Sequence, residues 1–179
     1  LQENEGYAGY MLDADWNVRG RMNMTEDGGS LTEMKNMDSG EWFEFLKVEQ
    51  EDTMGTSPGG FNRKGDKLYG SSSIGRDKAA VVWWSPVEGG GSNPTVVFES
   101  DRADISGSIT NPDTYEPEAI AVSYLRPEVT VIDNSNNIAT DLANLEKLGG
   151  KDFGITDRTK DNRTWVVAFG APEDVPTYW

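Results

Sequence analysis

Carboxylates dominate the reactive side chains of this sequence, which contains 31 Asp and Glu but no histidine and no cysteine. Without histidine there is no base for a Ser-His-Asp triad and no imidazole metal ligand. Without cysteine there is no disulfide, no thiolate nucleophile and no thiolate metal site. We therefore predict no catalytic, cofactor-binding or metal-ligating residue in this chain, and the sequence leaves its substrate-binding residues unknown.

Acids at close spacing are the first candidates for chemistry, because two converging carboxylates can hydrolyse a glycosidic bond. Three groups have such spacing: Glu49 with Glu51 and Asp52, Asp101 with Asp104, and Asp157 with Asp161. In a chain with 31 acids, such groups also arise by chance. We interpret them as solvated charge.

Other segments match part of a known site signature but lack at least one residue that the signature requires. Gly70-Ser71-Ser72-Ser73-Ile74 lacks the final glycine of a nucleophile elbow. Residues 159–165 approach the Asp-box of sialidases but are one residue short and lack its glycine, so we predict a polar hairpin followed by a buried Trp165. Residues 133–137 offer oxygen ligands without the glycine and distal glutamate of a calcium loop, so we predict an Asn-rich turn.

Adjacent tryptophans at Trp83 and Trp84 could form an aromatic platform for a ligand. Neighbouring residues of a strand point to opposite faces of the sheet. We therefore expect one of the pair in the core and the other over a neighbouring sheet.

The net charge of −15 narrows the partners that the chain can bind. Phosphate backbones and anionic lipid surfaces are repelled by such a surface, so we expect neither nucleic acid nor membrane as a partner. No 18-residue apolar run and no signal-peptide pattern occur, so no targeting segment is predicted. The compartment stays open between the cytoplasm and the periplasm or exterior.

Short strands separated by turn clusters account for most of the sequence. The predicted strands cover residues 9–13, 17–25, 31–34, 41–48, 67–73, 79–85, 95–99, 119–124, 129–133, 153–156 and 164–169. One short helix is predicted near residues 140–148, with Thr140 and Asp141 capping its start and glycines at its end. Its leucines, at positions 142, 145 and 148, fall on one face.

Two of the predicted hairpins are similar in sequence. The segment 68–84 can be laid over 153–169 without a gap, so that Val81 and Val82 fall on Val166 and Val167. This offset spans about two propeller blades, and the hairpin at 119–133 lies midway. We predict an all-β fold, a partial β-propeller of about four blades of four-stranded antiparallel sheet. A β-sandwich with similar hairpins is the alternative.

Several segments, in order, resemble the propeller of prolyl-oligopeptidase-family serine peptidases of the acylaminoacyl-peptidase or dipeptidyl-aminopeptidase type. They are Asp15-Trp16-Asn17-Val18-Arg19, Gly75-Arg76-Asp77-Lys78-Ala79-Ala80, Val97-Phe98-Glu99-Ser100-Asp101, Ala121-Val122-Ser123-Tyr124, Asp141-Leu142-Ala143-Asn144-Leu145 and the stretch 152–167. The likeness covers residues 10–178. The chain departs from the family pattern at Val129-Thr130-Val131-Ile132-Asp133, where the family often has a tryptophan.

The resemblance implies that residues 1–179 are the non-catalytic propeller portion of a serine peptidase. Peptides would be its substrates, the α/β-hydrolase domain would lie outside this chain, and the propeller would gate peptide access. The partners would be the rest of the propeller and the hydrolase domain, or a second copy, because open sheet edges favour association. The alternative is a non-enzymatic TolB-like propeller used for protein binding, which a stop codon after Trp179 would indicate.

Overall fold

Antiparallel sheets built from short strands account for most of the regular secondary structure in the computed structural model, which describes residues 4, 6–150, 153–170 and 177–178. We name the four sheets blades 1 to 4 in chain order. Blade 1 consists of β1 (Gly9–Leu12), β2 (Val18–Met24), β3 (Ser30–Lys35) and β4 (Trp42–Val48). Blade 2 consists of β5 (Ser57–Phe61), β6 (Leu68–Ser72), β7 (Ala80–Trp84) and β8 (Thr95–Phe98).

The sheets in the second half of the chain have fewer strands. Blade 3 consists of β9 (Ile105–Thr110), β10 (Pro117–Tyr124) and β11 (Arg126–Val131). A helix, α1 (Ile138–Gly149), leads to blade 4, which consists of β12 (Phe153–Arg158), β13 (Trp165–Phe169) and β14 (Thr177–Tyr178). The predicted partial propeller of about four blades is confirmed. In the described residues, blades 1 and 2 have four strands each, whereas blades 3 and 4 have three each.

The chain divides into two compact units, residues 1–105 and 106–179. Unit 1 holds blades 1 and 2, which share one apolar core between their facing sheets. The core residues are Met34, Phe45, Leu46, Val48, Phe61, Leu68, Ala80, Val82 and Trp84. Every second residue of β3 is buried, as expected for a strand with one face on a core.

Unit 2 has a smaller core around the start of its helix. Ala119, Ile138 and Leu142 are buried together, and Phe153 and Trp165 pack against them. Of the predicted leucine face of the helix, Leu142 is buried and Leu145 half-buried, whereas Leu148 is 78% exposed. No helix in the described part of the chain has the length and apolar character needed to cross a bilayer.

The internal similarity predicted from the sequence is visible in strand register. Leu68 pairs with Trp84 in blade 2, and Phe153 pairs with Phe169 at the same offset in blade 4. The next two pairs of each hairpin also correspond. The registers diverge only after Ile155, where β12 has an irregularity.

Three elements differ from the sequence predictions for identifiable reasons. β5 was missed because it contains Pro58 followed by two glycines, a composition tolerated at a sheet edge, where β5 lies. The turn predicted over residues 125–128 shrinks to Leu125, which alone adopts φ +65°, so β11 already begins at residue 126. The helix begins before Thr140, because the Asn134 side-chain oxygen accepts the Ala139 N–H. β9 and β14 were also missed.

Candidate functional site

Loops at one end of unit 1 carry the strongest concentration of acids. Because neighbouring strands are antiparallel, the β2–β3 turn and the exit of β4 lie at the same end of blade 1. The entry of β5, the β6–β7 turn and the exit of β8 share one end of blade 2, and Thr56 contacts Ser73 there. We call the loops 25–29, 49–56, 73–79 and 99–104 the connector face.

The connector face is more acidic than the opposite end of the same unit. Its four loops contain nine carboxylates and three basic residues, whereas the loops 13–17, 36–41, 62–67 and 85–94 contain six carboxylates and three basic residues. The connector face therefore favours a cationic ligand over an anionic one. It includes two of the acid groups singled out in the sequence, the one at 49–52 and the one at 101–104.

Two adjoining hollows lie on the connector face. One, of about 390 Å³, is lined by Asp27, Glu49, Gln50 and Glu51. The other, of about 300 Å³, is lined by residues that include Glu51, Met54, Asp77 and Asp104. Glu51 lines both, so the two hollows together are lined by carboxylates from all four connector-face loops. Met54 stands almost fully exposed beside it, at 98%.

Hydrogen bonds within unit 1 fix the loops around the second hollow. The Ser73 hydroxyl donates to Asp52 Oδ1 at 2.7 Å, and the Ser73 backbone N–H donates to Thr56 Oγ1 at 2.9 Å. The Ala79 N–H donates to Asp104 Oδ1 at 2.7 Å. Ser73, which the sequence raised as part of a failed nucleophile motif, therefore joins the 49–56 loop to the end of blade 2.

Local hydrogen bonds keep carboxylates of this face ionised. The Thr25 hydroxyl, followed by the Gly29 N–H, holds the pKa of Asp27 below its usual value. The bond from Lys78 lowers the pKa of Asp77, and the same pair raises the pKa of Lys78. A face whose acids stay charged can attract cations such as an ammonium group and accept hydrogen bonds from them.

The Asp-box-like segment forms a closed hairpin turn in unit 2 that includes Asp161 of the remaining acid pair, whereas Asp157 lies in β12. The Thr159 hydroxyl donates to Asp161 Oδ1 at 2.6 Å, and this bond lowers the pKa of Asp161. Trp165 is partly buried and donates its indole N–H to the Asn162 carbonyl at 3.1 Å. This turn is the polar hairpin that the sequence predicted.

The Asn-rich turn uses its oxygens for local structure. Asp133 accepts the backbone N–H and the hydroxyl of Ser135, at 2.9 and 3.0 Å. Asn134 accepts the Ala139 N–H and so starts α1. Across the described ranges, no cluster of three or more acids is arranged to hold a metal ion.

A buried ion pair in unit 2 was not found from the sequence. Glu118 of β10 is fully buried, and its Oε2 lies 3.0 Å from Arg158 Nη2 of β12. Asn111 Nδ2 donates to Glu118 Oε1 at 2.9 Å, and Arg158 also bonds the Thr110 carbonyl. The sequence signal for this ion pair is Glu118 itself, because it is the one charged residue in the otherwise apolar run 117–122. The pair joins blade 3 to blade 4.

A larger pocket of about 650 Å³ lies in unit 1 between β4 and the β7–β8 connection. The connection folds as a short 3₁₀ turn, Gly90–Ser92, against the edge of β4. A Cβ on Gly91 would meet the Phe45 carbonyl oxygen at 1.8 Å, so only glycine allows this approach. Trp84 lines the pocket and is buried, whereas Trp83 points to the other face of its strand and lies under Lys67.

Comparisons with known proteins show which proteins the chain is similar to. It is 35% identical over its whole length to dipeptidyl aminopeptidase BIII of Pseudoxanthomonas mexicana. It is 22% identical, over 96% of its length, to dipeptidyl peptidase family member 6 of Caenorhabditis elegans. The chain spans about a quarter of the length of these curated relatives. No family model matches it. The predicted resemblance to a dipeptidyl-aminopeptidase-like propeller is confirmed.

Proposed function

We propose that this chain is a non-catalytic propeller portion of a dipeptidyl-peptidase-type serine peptidase, and that its connector face attracts peptides by their protonated amino end. The nucleophile and its base would belong to a hydrolase domain outside these 179 residues. The propeller would restrict which peptides reach that domain.

The carboxylates of the two adjoining hollows carry this proposal. Asp27, Glu51, Asp77 and Asp104 line these two hollows from four separate loops, and Glu51 lines both. A free peptide amino group is the cation that dipeptidyl peptidase relatives suggest as the ligand. Clefts lined by charge of one sign raise the local concentration of an oppositely charged substrate.

The first experiment asks whether the intact protein is a serine peptidase. A serine-directed fluorophosphonate probe should label it, and the intact mass should exceed the 19.7 kDa of this chain. A mass of 19.7 kDa without labelling would instead support a stand-alone propeller used for protein binding.

The second experiment tests the connector face with the triple variant Asp27→Asn, Glu51→Gln and Asp77→Asn. We compare kcat/KM for a chromogenic dipeptide with a free amino end and for its N-acetylated form. The variant should lose about threefold to tenfold of the preference for the free amine, and high salt should produce a similar loss in the wild type.

The matched control removes three acids from the opposite end of the same unit: Asp15→Asn, Asp38→Asn and Glu88→Gln. These residues lie outside the connector-face loops. The control should keep the wild-type preference. An equal loss in both triple variants would show that only net charge matters, and no loss in the connector-face variant would refute the proposed role of that face.

A further inference from the structure

The β10–β11 hairpin of unit 2 has an open edge. β11 lies at the end of the blade 3 sheet, and in the part of the chain that the structure describes no strand pairs with its outer edge. Residues 126–130 of β11 are exposed, and only Val131 is half-buried. Leu125, in the adjoining turn, is 96% exposed. An exposed edge strand of this length can pair with a further strand.

The hydrogen-bond register shows which backbone groups face this edge. The Ile132 N–H donates to the Glu118 carbonyl at 2.8 Å, and hydrogen-bonded pairs alternate with non-hydrogen-bonded pairs along an antiparallel ladder. Along the paired positions of β10 and β11, residues 126, 128 and 130 therefore bond to β10, whereas residues 127, 129 and 131 direct their backbone groups outward. Proline at position 127 agrees with this assignment, because a proline in an edge strand turns its nitrogen away from the ladder.

The outward edge of β11 is complementary to an antiparallel copy of itself. With a twofold axis at Val129, each Val129 N–H faces the Val129 carbonyl of the other copy, and each Val131 N–H faces the other Pro127 carbonyl. Glu128 then lies opposite Thr130 of the other copy. An axis one residue nearer the turn would place the two Glu128 side chains opposite each other, which destabilises a strand pair. An axis one residue further along would take the ladder past the end of β11.

Side-chain chemistry agrees with this register. Residues 127, 129 and 131 lie on one face of the strand, where Val131 packs against the core of unit 2. In the symmetric pair, Val129 meets Val129 and Pro127 meets Val131 on that face. The pairing would therefore extend the apolar core of each copy toward the other.

Charge favours this segment as the contact between two copies. The chain carries a net charge of −15, so most of its surface repels a second copy. Residues 119–132 contain one arginine and one glutamate and therefore have no net charge. β9, at the other edge of blade 3, is also uncharged, but it has serines and a glycine between its isoleucines and so offers little apolar surface.

We propose that two copies of this protein associate through their β11 edges, antiparallel and with Val129 on the twofold axis. The two three-stranded sheets of blade 3 would then join edge to edge. The paired strands are short, so the interface is small, and we expect a dissociation constant of about 1–100 µM. This interface does not depend on the proposed peptidase function.

The test measures hydrogen exchange of the intact protein between about 1 and about 200 µM. Peptides covering residues 126–131 should exchange about threefold to tenfold more slowly at the higher concentration, because pairing protects the Val129 and Val131 N–H groups. Sedimentation over the same range should show the mass doubling. Protection of β11 that is independent of concentration in a protein that stays monomeric would mean that another segment of the same polypeptide covers the edge, and would overturn the proposal.

Two lysine variants at adjacent exposed positions form a matched pair with the same change of charge. Val129→Lys places two lysines opposite each other on the axis and should weaken the dimer by at least about tenfold. Thr130→Lys places a lysine opposite Glu128 of the other copy and should dimerise at least as tightly as the wild type. An equal loss in both variants would refute the proposed register.

A cross-link tests the geometry directly. Under mild oxidation Val129→Cys should form an intermolecular disulfide that is absent from the wild type, because residues opposite each other across a strand pair lie within disulfide range. Thr130→Cys should not, because the two Thr130 positions lie diagonally apart in this register. A dimer in which Val129→Cys does not cross-link, or in which Thr130→Cys cross-links as well, would overturn the inference.

Discussion

Replacing Glu118 with glutamine is the sharpest test of what holds blades 3 and 4 together. The substitution keeps the size of the side chain and one oxygen that can accept from Asn111. The new amide group, however, faces Arg158 Nη2, which lay 3.0 Å from the carboxylate. A donor then meets a donor, and the guanidinium loses its counter-ion in a site where its own side chain is only 9% exposed.

The magnitude follows from this burial. Breaking a buried ion pair by removing one partner costs about 3–5 kcal/mol. Arg158 keeps its bond to Asn162 at 3.0 Å and its position over the Trp165 ring at 5.2 Å. We therefore expect Glu118→Gln to cost about 3 kcal/mol, the low end of that range.

Hydrogen exchange of the intact protein measures this cost where it arises. A loss of about 3 kcal/mol corresponds to roughly 100-fold faster opening. Peptides covering β10 and β12 should show this acceleration, whereas blades 1 and 2 should keep the wild-type exchange rates.

The control is Glu33→Gln in blade 1, where Glu33 pairs with Arg21 at 2.8 Å but is 22% exposed. A partly solvated pair of this kind contributes about 1 kcal/mol at most. The reasoning is refuted if Glu118→Gln accelerates exchange no more than Glu33→Gln does.

Two further predictions concern unit 1. Gly91→Ala should destabilise the protein by about 1–3 kcal/mol, because the added methyl group overlaps the Phe45 carbonyl. The control is Gly60→Ala, where an added Cβ meets no atom within 4 Å. Its free energy of unfolding, measured by urea denaturation, should fall by less than half as much. Thr25→Val should raise the pKa of Asp27 toward its usual value, since the hydroxyl bond is the main cause of its depression. The stabilisation from the Thr25–Asp27 bond is fully present at a pH above the pKa of Asp27 in the unfolded state, and it is lost as the pH falls through the lower pKa of Asp27 in the folded state. An NMR titration of Asp27 that is identical in the wild type and in Thr25→Val would contradict this account.

Local patterns were sufficient to predict most strands. The alternation around β3 and β4, and the turn residues beside β6 and β7, are properties of neighbouring residues. The 85-residue offset was also readable, because corresponding apolar residues occupy corresponding registers. Elements with atypical composition were missed. β5 contains Pro58 and two glycines, and β9 places serines and a glycine between its isoleucines, so neither has the continuous run of branched and aromatic residues by which strands are recognised.

Sites formed between distant segments could not be predicted from the sequence. The acid groups near Glu49 and Asp101 were visible, but their approach to Asp27 and Asp77 depends on which strand ends share one end of the sheets. Glu118 was missed for a related reason. Its partner lies 40 residues later, and no local pattern indicates that a carboxylate in an apolar strand will meet a guanidinium.

The separation of Glu118 from Arg158 also sets an order of events during synthesis. Ribosomes add about 5–20 residues per second, so Glu118 leaves the exit tunnel roughly 2–8 seconds before Arg158 does. During that interval β10 carries a carboxylate whose cation has not yet left the exit tunnel. Blade 3 can therefore reach its final packing only after β12 has emerged, and the two blades of unit 2 mature as one nascent-chain event.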